Sequence, residues 1–258
     1  MIIDNYSGFI FDLDGTIYRG SNVIPGADKV INVIKDSGKQ VIFISNKTTG
    51  TVKEYYRFLS DNGFCISEDE IINATIVIKK YLVENYPGAI FFAVGERVFI
   101  DELISADFKM SDQPDKIEIV IVTLDRTFNY RKLETAANAL EKGARFFAAN
   151  IDDTCPVDSG EVMDAGSIIS ALEKRTHRKL EKHFGKPSEF MMNEINSRIG
   201  KTNGKILIVG DRLETDIAMA NKYGIDSALV LSGVKNFPGI YPDIKPTFTL
   251  DDVTELLK

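Results

Sequence analysis

Three short apolar runs in this chain each end on residues that can carry charge or donate a hydrogen bond. Gly8-Phe9-Ile10-Phe11 ends on Asp12, Val41-Ile42-Phe43-Ile44 on Ser45-Asn46, and Ile206-Leu207-Ile208-Val209 on Gly210-Asp211. Apolar runs of this length without polar alternation suit strands covered on both faces, as in a parallel sheet. Helical patterns follow them. Ala27 to Ser37 puts Val30, Ile31 and Ile34 on one face and stops at Gly38, Thr51 to Asn62 stops at Gly63, and Glu214 to Tyr223 stops at Gly224. Ala228–Leu231 and Phe248–Leu250 add strands, with Asp251 or Asp252 capping a last helix to Leu257. The alternation predicts an α/β protein with a doubly wound parallel sheet. Ligands of such sheets gather beyond the strand carboxyl ends, where Asp12, Ser45 and Asp211 fall.

The middle of the chain does not fit that sheet. Ser45 and Lys186 lie much further apart than the roughly 30 residues of one βαβ crossover. The excess has its own strand patterns, Ala89–Val94, Ile117–Leu124 and Ala144–Ala149, and its own helical ones, Gly95–Ala106, Tyr130–Lys142 and Ser167–Arg175. The predicted organisation is a Rossmann-like core, residues 1–86 and 180–258, with a smaller α/β domain of its own core inserted at 87–179.

Composition narrows the function. A net charge of -7 argues against nucleic acid, whose phosphates call for a basic face, and against an anionic membrane surface. No apolar run approaches the ~18 residues of a membrane span, and no basic stretch followed by a long apolar one marks a signal peptide at the N-terminus. Cys65 and Cys155 stand far apart and outside any CxxC, so reduced thiols and a cytoplasmic location are expected.

The chemistry concentrates at the strand ends. Asp12 and Asp14, spaced i, i+2 before Gly15-Thr16, would share one face of an extended segment. Two carboxylates that close repel, which calls for a cation, or they split into one ionised nucleophile and one proton carrier. A strand running into an Asp-Gly turn would leave the same residues. Ser45 and Asn46 can hold a phosphate oxygen, although such residues also favour caps and turns. Lys186, fixed between Gly185 and Pro187, can neutralise phosphate charge. In Gly210-Asp211-Arg212-Leu213-Glu214-Thr215-Asp216, Asp211 can complete an oxygen shell around Mg²⁺ and Asp216 can orient that shell from one layer out. Gly200-Lys201-Thr202 is rejected as a P-loop, because Ile195 stands where the upstream glycine is required.

Taken in order, DLDGT, SN, GKP and GDRLETD resemble the haloacid dehalogenase superfamily of phosphohydrolases along essentially the whole chain. The late insertion, Tyr18-Arg19-Gly20 with Pro25-Gly26-Ala27, the Asn150–Pro156 loop and Asp164-Ala165-Gly166-Ser167 resemble its NagD-like, nitrophenyl-phosphatase-type branch. The resemblance implies Mg²⁺-dependent hydrolysis of small-molecule phosphate monoesters. Asp12 would become an aspartyl phosphate, and Asp14 would act as general acid and then base. Asp12, the Asp14 carbonyl and Asp211 would bind Mg²⁺, while Ser45, Asn46 and Lys186 would hold the phosphoryl oxygens. The substrate would be a small phosphorylated metabolite, and a homodimer built through the inserted domain is the assembly implied. Where the branch often has Asn or another small polar residue, this chain has Lys47, a candidate substrate contact. The inserted domain would choose among leaving groups, with Asp125, Arg126 and Asp153 as candidate contacts on loops after its strands. A phosphotransferase or mutase on the same core is the alternative. A receiver-like signalling domain fits less well, since receivers phosphorylate an aspartate after the third strand and lack the insertion.

Overall fold

The computed structural model describes residues 1–157, 160–200, 204–237 and 239–258; Lys201 and Thr202 of the rejected P-loop lie outside them. In chain order the elements are β1 (Gly8–Asp12), β2 (Tyr18–Arg19), β3 (Asn22–Val23), α1 (Ala27–Asp36), β4 (Gln40–Ser45), α2 (Val52–Asp61), β5 (Ile71–Asn73) and α3 (Ala74–Asn85). The insertion continues with β6 (Ile90–Val94), α4 (Arg97–Ile104), β7 (Lys109–Met110), β8 (Ile119–Val122), α5 (Tyr130–Glu141), β9 (Arg145–Ala148), β10 (Thr154–Val157), β11 (Gly160–Met163), α6 (Ala165–Thr176) and β12 (Lys182–His183). The chain closes with α7 (Glu189–Ile199), β13 (Ile206–Gly210), α8 (Ala218–Tyr223), β14 (Asp226–Val230) and β15 (Phe248–Leu250). A 3₁₀ turn, Val253–Leu257, stands where a last helix is predicted; Asp252 caps it by accepting from Thr254 N at 2.8 Å.

The expected α/β architecture is present. Six parallel strands form the core sheet in the order β15-β14-β13-β1-β4-β5. From β1 the chain adds β4 and β5 on one side, then β13, β14 and β15 on the other. The order therefore reverses between β1 and β13, and a crevice opens at that switch point. Phe11 of β1 lies opposite Val209 of β13, which brings Asp12 and Asp211 to the same end of neighbouring strands.

Local choices are consistent with the fold. Ala27, Val30, Ile31 and Ile34 form the buried stripe of α1. A capping box between Thr51 and Glu54 starts α2, and the Ser188 hydroxyl accepts from Met191 N at 3.1 Å to start α7. The predicted helix Glu214–Tyr223 instead opens with a π turn over Leu213–Ile217, in which Asp216 Oδ2 accepts from Arg212 N at 3.2 Å. Such wide turns are frequent where a side chain is aimed into a site.

The insertion is built on a second parallel sheet, β12-β9-β8-β6-β7. Its last strand, β12, lies beyond residue 179, so the sheet outruns the predicted end of the insertion. A two-residue strand with one lysine and one histidine carries no periodicity by which to be recognised.

The packing departs further from two separate cores. One apolar cluster covers the α1 and α2 face of the core sheet, with Phe9, Phe11 and Phe43 at its centre. Another, led by Val120, Val122, Leu140 and Phe146, joins the outer face of the second sheet to α5 and α6. Between them lies one continuous cluster that runs from Ile10, Ile42 and Ile208 of the core sheet, through Ile78 and Leu82 of α3 and Met191 and Ile195 of α7, to Phe91, Ile121 and Phe147 of the second sheet. The two sheets share this middle core. No helix among the described residues is long and apolar enough to cross a membrane.

Candidate active site

Asp12 closes β1, a strand buried along its whole length, and enters the crevice as a nearly buried carboxylate. Its companion from β13 is packed with little room to spare. Asp211 Oδ2 accepts from Val234 N at 2.8 Å, and its main-chain oxygen accepts from Asn236 Nδ2 at 2.7 Å. A Cβ on Gly233 would come 1.9 Å from Asp211 Oδ2, and one on Gly15 would come within 2.2 Å of it. Gly15 also has a φ of 94°, which L side chains adopt at a cost. The turn after Asp14 therefore requires glycine on both counts.

Lys186 lies fully within the crevice. Its Nζ donates to Asp12 Oδ1, and to Asp216 Oδ1 at 2.7 Å. Burial alone would lower the lysine, but the charges of Asp12 and Asp216 outweigh it and hold the ammonium above its ordinary value. Burial acts the other way on the carboxylates. It raises Asp12 well above the usual range against the pull of Lys186, with Asp216 and Asp211 adding to the rise. Asp211 is pushed up to about 7 by burial and then by Asp216.

Ligand oxygens of Asp12, Asp211 and Asp216 lie within 4.8 Å of one another, all three residues buried. One ammonium against three carboxylates leaves negative charge where water cannot screen it. A hard divalent cation suits such an all-oxygen set. The cluster thus contains Asp216 as well as Asp12 and Asp211. Asp216 also grips Lys186 directly, a closer task than orienting from one layer out.

Asp14 lies just past the strand. Lys47 Nζ donates to its Oδ2 at 2.6 Å, while its Oδ1 is buried with no hydrogen-bond partner among the described residues. Ser45 ends β4 beside the crevice, its Oγ accepting from Lys47 N at 3.1 Å. Asn46 is placed differently from the expectation. Its Oδ1 accepts from Lys186 N at 2.6 Å, which fixes the amide orientation, since a main-chain N–H can only donate. Its Nδ2 then donates to Asp152 Oδ2 at 2.8 Å and to Lys186 O at 3.2 Å. Both amide protons are committed to protein, which leaves neither free for a phosphoryl oxygen.

The remaining wall comes from the inserted domain. Asp152, Thr154, Cys155, Pro156 and Asp164 line the cavity together with Arg212, around about 50 Å³ of space. Arg212 Nη2 reaches across to Thr154 O at 3.2 Å. Burial pushes Asp164 up to about 6, with Asp152 adding to the rise, and pushes the Cys155 thiol up to about 11.

Of the predicted substrate contacts, Lys47 lines the cavity from the core side, and Asp125, Arg126 and Asp153 do not line it. Asp125 is buried beside Lys132 Nζ, 2.6 Å away, and Thr127 N, 2.9 Å away. Arg126 is an exposed side chain held by Glu96 through two contacts of 2.6 and 2.9 Å. Asp153 is exposed, and its neighbour Asp152 points inward instead. Successive side chains of an extended segment take opposite sides, so the Asp152-Asp153 doublet signals that one faces the site without saying which. Thr123 bonds to Asn150 behind this wall and carries no motif, the Asn150–Pro156 loop marks Asn150 without showing its partners, and Arg212 stands between Asp211 and Asp216 with no signal of its own.

The family model described as haloacid dehalogenase-like hydrolase matches residues 9–109, and a second, HAD-hydrolase-like model matches residues 183–256. The sugar-phosphatase AraL of Bacillus subtilis is 31% identical over 252 residues, covering 98% of this chain and 92% of that protein. The crystal structure of a 4-nitrophenylphosphatase from Thermotoga maritima superimposes with a TM-score of 0.89 at 27% identity, over 99% of this chain and 98% of that one. A glycerol phosphate phosphatase from Mycobacterium tuberculosis, crystallised with magnesium, gives 0.85 at 28% identity, over 99% and 77% of the two chains.

Proposed function

This chain belongs to the haloacid dehalogenase-like hydrolases, and from that premise we propose that it hydrolyses phosphate monoesters of small metabolites in a Mg²⁺-dependent reaction through an aspartyl phosphate on Asp12. One observation carries the reading: the Asp12 carboxylate, at the sheet's switch point, shares a buried cluster with Asp211, Asp216 and Lys186. The phosphatase relatives support the same class of reaction.

Asp12 attacks phosphorus with the oxygen that Lys186 leaves free, and the bond to the leaving oxygen breaks. Asp14 gives that oxygen its proton and then takes one from the water that attacks the acyl phosphate. Its unpartnered Oδ1 is the atom suited to this exchange. Lys186 and the Ser45 hydroxyl hold phosphoryl oxygens, and Asp216 keeps the ammonium aimed at them. Mg²⁺, held by Asp12, Asp211 and the Asp14 carbonyl with Asp216 alongside, would neutralise charge on the phosphoryl group. Splitting one hard hydrolysis into two phosphoryl transfers leaves the protein mainly with positioning and charge balance to supply. The insertion at 87–179, with β12, serves as the cap that excludes bulk water and meets the leaving group.

The test is release of inorganic phosphate from a panel of sugar, glycerol, glycolate, nucleotide and nitrophenyl phosphates, with and without Mg²⁺. Turnover on none of them, or equal turnover after exhaustive chelation, rejects the reading.

A further inference from the structure

Three ties join the inserted domain to the core at the mouth of the crevice. Asn46 Nδ2 donates to Asp152 Oδ2 at 2.8 Å, Arg212 Nη2 donates to Thr154 O at 3.2 Å, and Thr48 Oγ1 meets Thr123 Oγ1 at 2.6 Å. The Thr123 proton goes to Asn150 Oδ1 at 2.9 Å, so Thr48 is the donor in that pair. Asn150 Nδ2 completes a ring by donating to Asp152 Oδ2 at 3.0 Å, and it also meets Asp164 Oδ1 at 3.0 Å. Thr48, Thr123, Asn150, Asp152 and Asn46 are all buried. On the core side the ring ends on the amide that clamps both main-chain polar groups of Lys186.

We propose that Asp152 is a positioning residue: closing the 150–157 loop onto Asn46 sets the backbone of Lys186 and thereby the ammonium that faces Asp12. This rests on the phosphatase reading above. The loop that carries Asp152 lines the crevice around Asp12, so a lift of that loop to admit an ester breaks the Asn46–Asp152 bond. Re-forming the bond returns Asn46 to the geometry that holds Lys186. The chemical step then waits on the cap being shut, and Asp152 acts on it through Asn46 and the Lys186 backbone.

One atomic detail makes the idea testable. Asp152 Oδ2 alone accepts both Asn46 and Asn150. Asparagine at 152 can offer its single carbonyl oxygen to the same two donors, whereas alanine offers nothing. With a small ester such as nitrophenyl phosphate, Asp152→Ala should lower kcat about 10- to 100-fold, the scale of a small misplacement, with KM within about threefold of wild type. Asp152→Asn should recover to within about threefold of wild-type kcat. Asn46→Ala should match Asp152→Ala, and the double variant should be no slower than either, because both cut one chain of contacts. Wild-type kcat in Asp152→Ala overturns the proposal. A raised KM with unchanged kcat overturns it in favour of a substrate contact, and an Asp152→Asn as slow as Asp152→Ala overturns it in favour of charge. If Asp152→Ala does not fold, Asp152→Ser, which shortens the acceptor, and Asn46→Ala give the same split, with melting curves showing the folded fraction. Asp12→Asn, assayed alongside, separates the two levels. If it keeps wild-type turnover, the nucleophile reading falls and this proposal with it. If it is inactive while Asp152→Ala is unimpaired, the positioning role alone falls.

Discussion

The strand ends of the core and the loop that covers them hold buried polar groups in opposite ways. In the core, carboxylates crowd a single ammonium, their charge is unbalanced, and two glycines stand where any side chain would strike Asp211. Around the covering loop, side chains of Thr123, Asn150, Asp152 and Asp164 pass hydrogen bonds along a chain, most of them with a neutral partner. The first arrangement holds an excess of negative charge that a divalent cation would relieve. The second pairs its carboxylates with amide and hydroxyl donors, so its hydrogen bonds can part and re-form as a unit. On the readings proposed above, one region reacts and the other closes over it.

That contrast breaks most directly at Asp12. Asp12→Asn keeps the shape and removes the attacking charge, so turnover should fall at least ~10³-fold while thermal stability holds or rises, because carboxylate repulsion is relieved. A steady-state assay beside a melting curve checks both, and more than a tenth of wild-type activity would refute Asp12 as nucleophile. Chelation comes next. EDTA should reduce activity below about a hundredth, Mg²⁺ should restore it, and Ca²⁺, with its larger and looser shell, should bind yet support little turnover. Retained activity after chelation would mean that the carboxylate cluster balances its charge some other way.

The glycines sharpen the comparison at intermediate size. Gly15→Ala meets both an unfavourable φ and the Asp211 carboxylate, so a loss of about 10- to 100-fold in kcat and of about 1–3 kcal/mol in stability is expected. Urea unfolding and kinetics that both match wild type would show that Asp211 has room to move.

The covering loop should answer to pH rather than to shape. Burial, with Asp152 adding to it, pushes the folded Asp164 up to about 6, above the ordinary value of an aspartate, so its folded value is the higher one. The folded state therefore gains a proton as pH falls through 6, and the cost of burying the charge, present at neutral pH, disappears toward pH 4. Asp164→Asn lacks that relief. Between pH 7 and 4.5 the stability difference should move by about 2 kcal/mol in favour of the wild type, read from urea unfolding at the two values. A difference independent of pH would place the ionisation outside the folded loop. The smallest effect belongs to Arg126. Held by Glu96 outside the cavity, it should change kcat/KM less than about twofold across an ester panel when replaced by alanine. A reordering of that panel would return Arg126 to the list of substrate contacts.

Much of the fold could be read in the sequence, for a physical reason. Strands covered on both faces write themselves as apolar runs, and their ends expose whatever the site needs, so β1, β4 and β13 and the residues Asp12, Ser45 and Asp211 stand out together. The segment that became β5 and α3 did not. Ala74–Asn85 packs against both sheets, so its buried positions, from Ala74, Thr75, Val77 and Ile78 to Leu82, do not fall on one stripe, and its Thr-Ile-Val-Ile run mimics a strand. In the site, side chains carried by a motif were legible, whereas Thr123, recruited by tertiary contact, had no local signature, and Asn150 was marked as the start of a loop but not by its partners. Asn46 shows the limit most plainly. Its type and position suit a phosphate ligand, and its actual hydrogen bonds became visible with the neighbours it found 106 and 140 residues away.

The apolar cluster shared by the two sheets has a consequence for exchanging modules between relatives. Phe91, Ile121 and Phe147 of the inserted sheet rest on Ile78 and Leu82 of α3 and on Met191 and Ile195 of α7, four side chains that lie outside residues 87–179. A chimera spliced at those borders would join the inserted half of a jigsaw to helices shaped for another protein. Cut ahead of α3 and behind α7, the transplanted piece would carry its own floor, and its new host would have to match the side chains of Ile10, Ile42, Ile44, Ile72 and Ile208, with Met219 and Ala220 of α8, on which that floor stands.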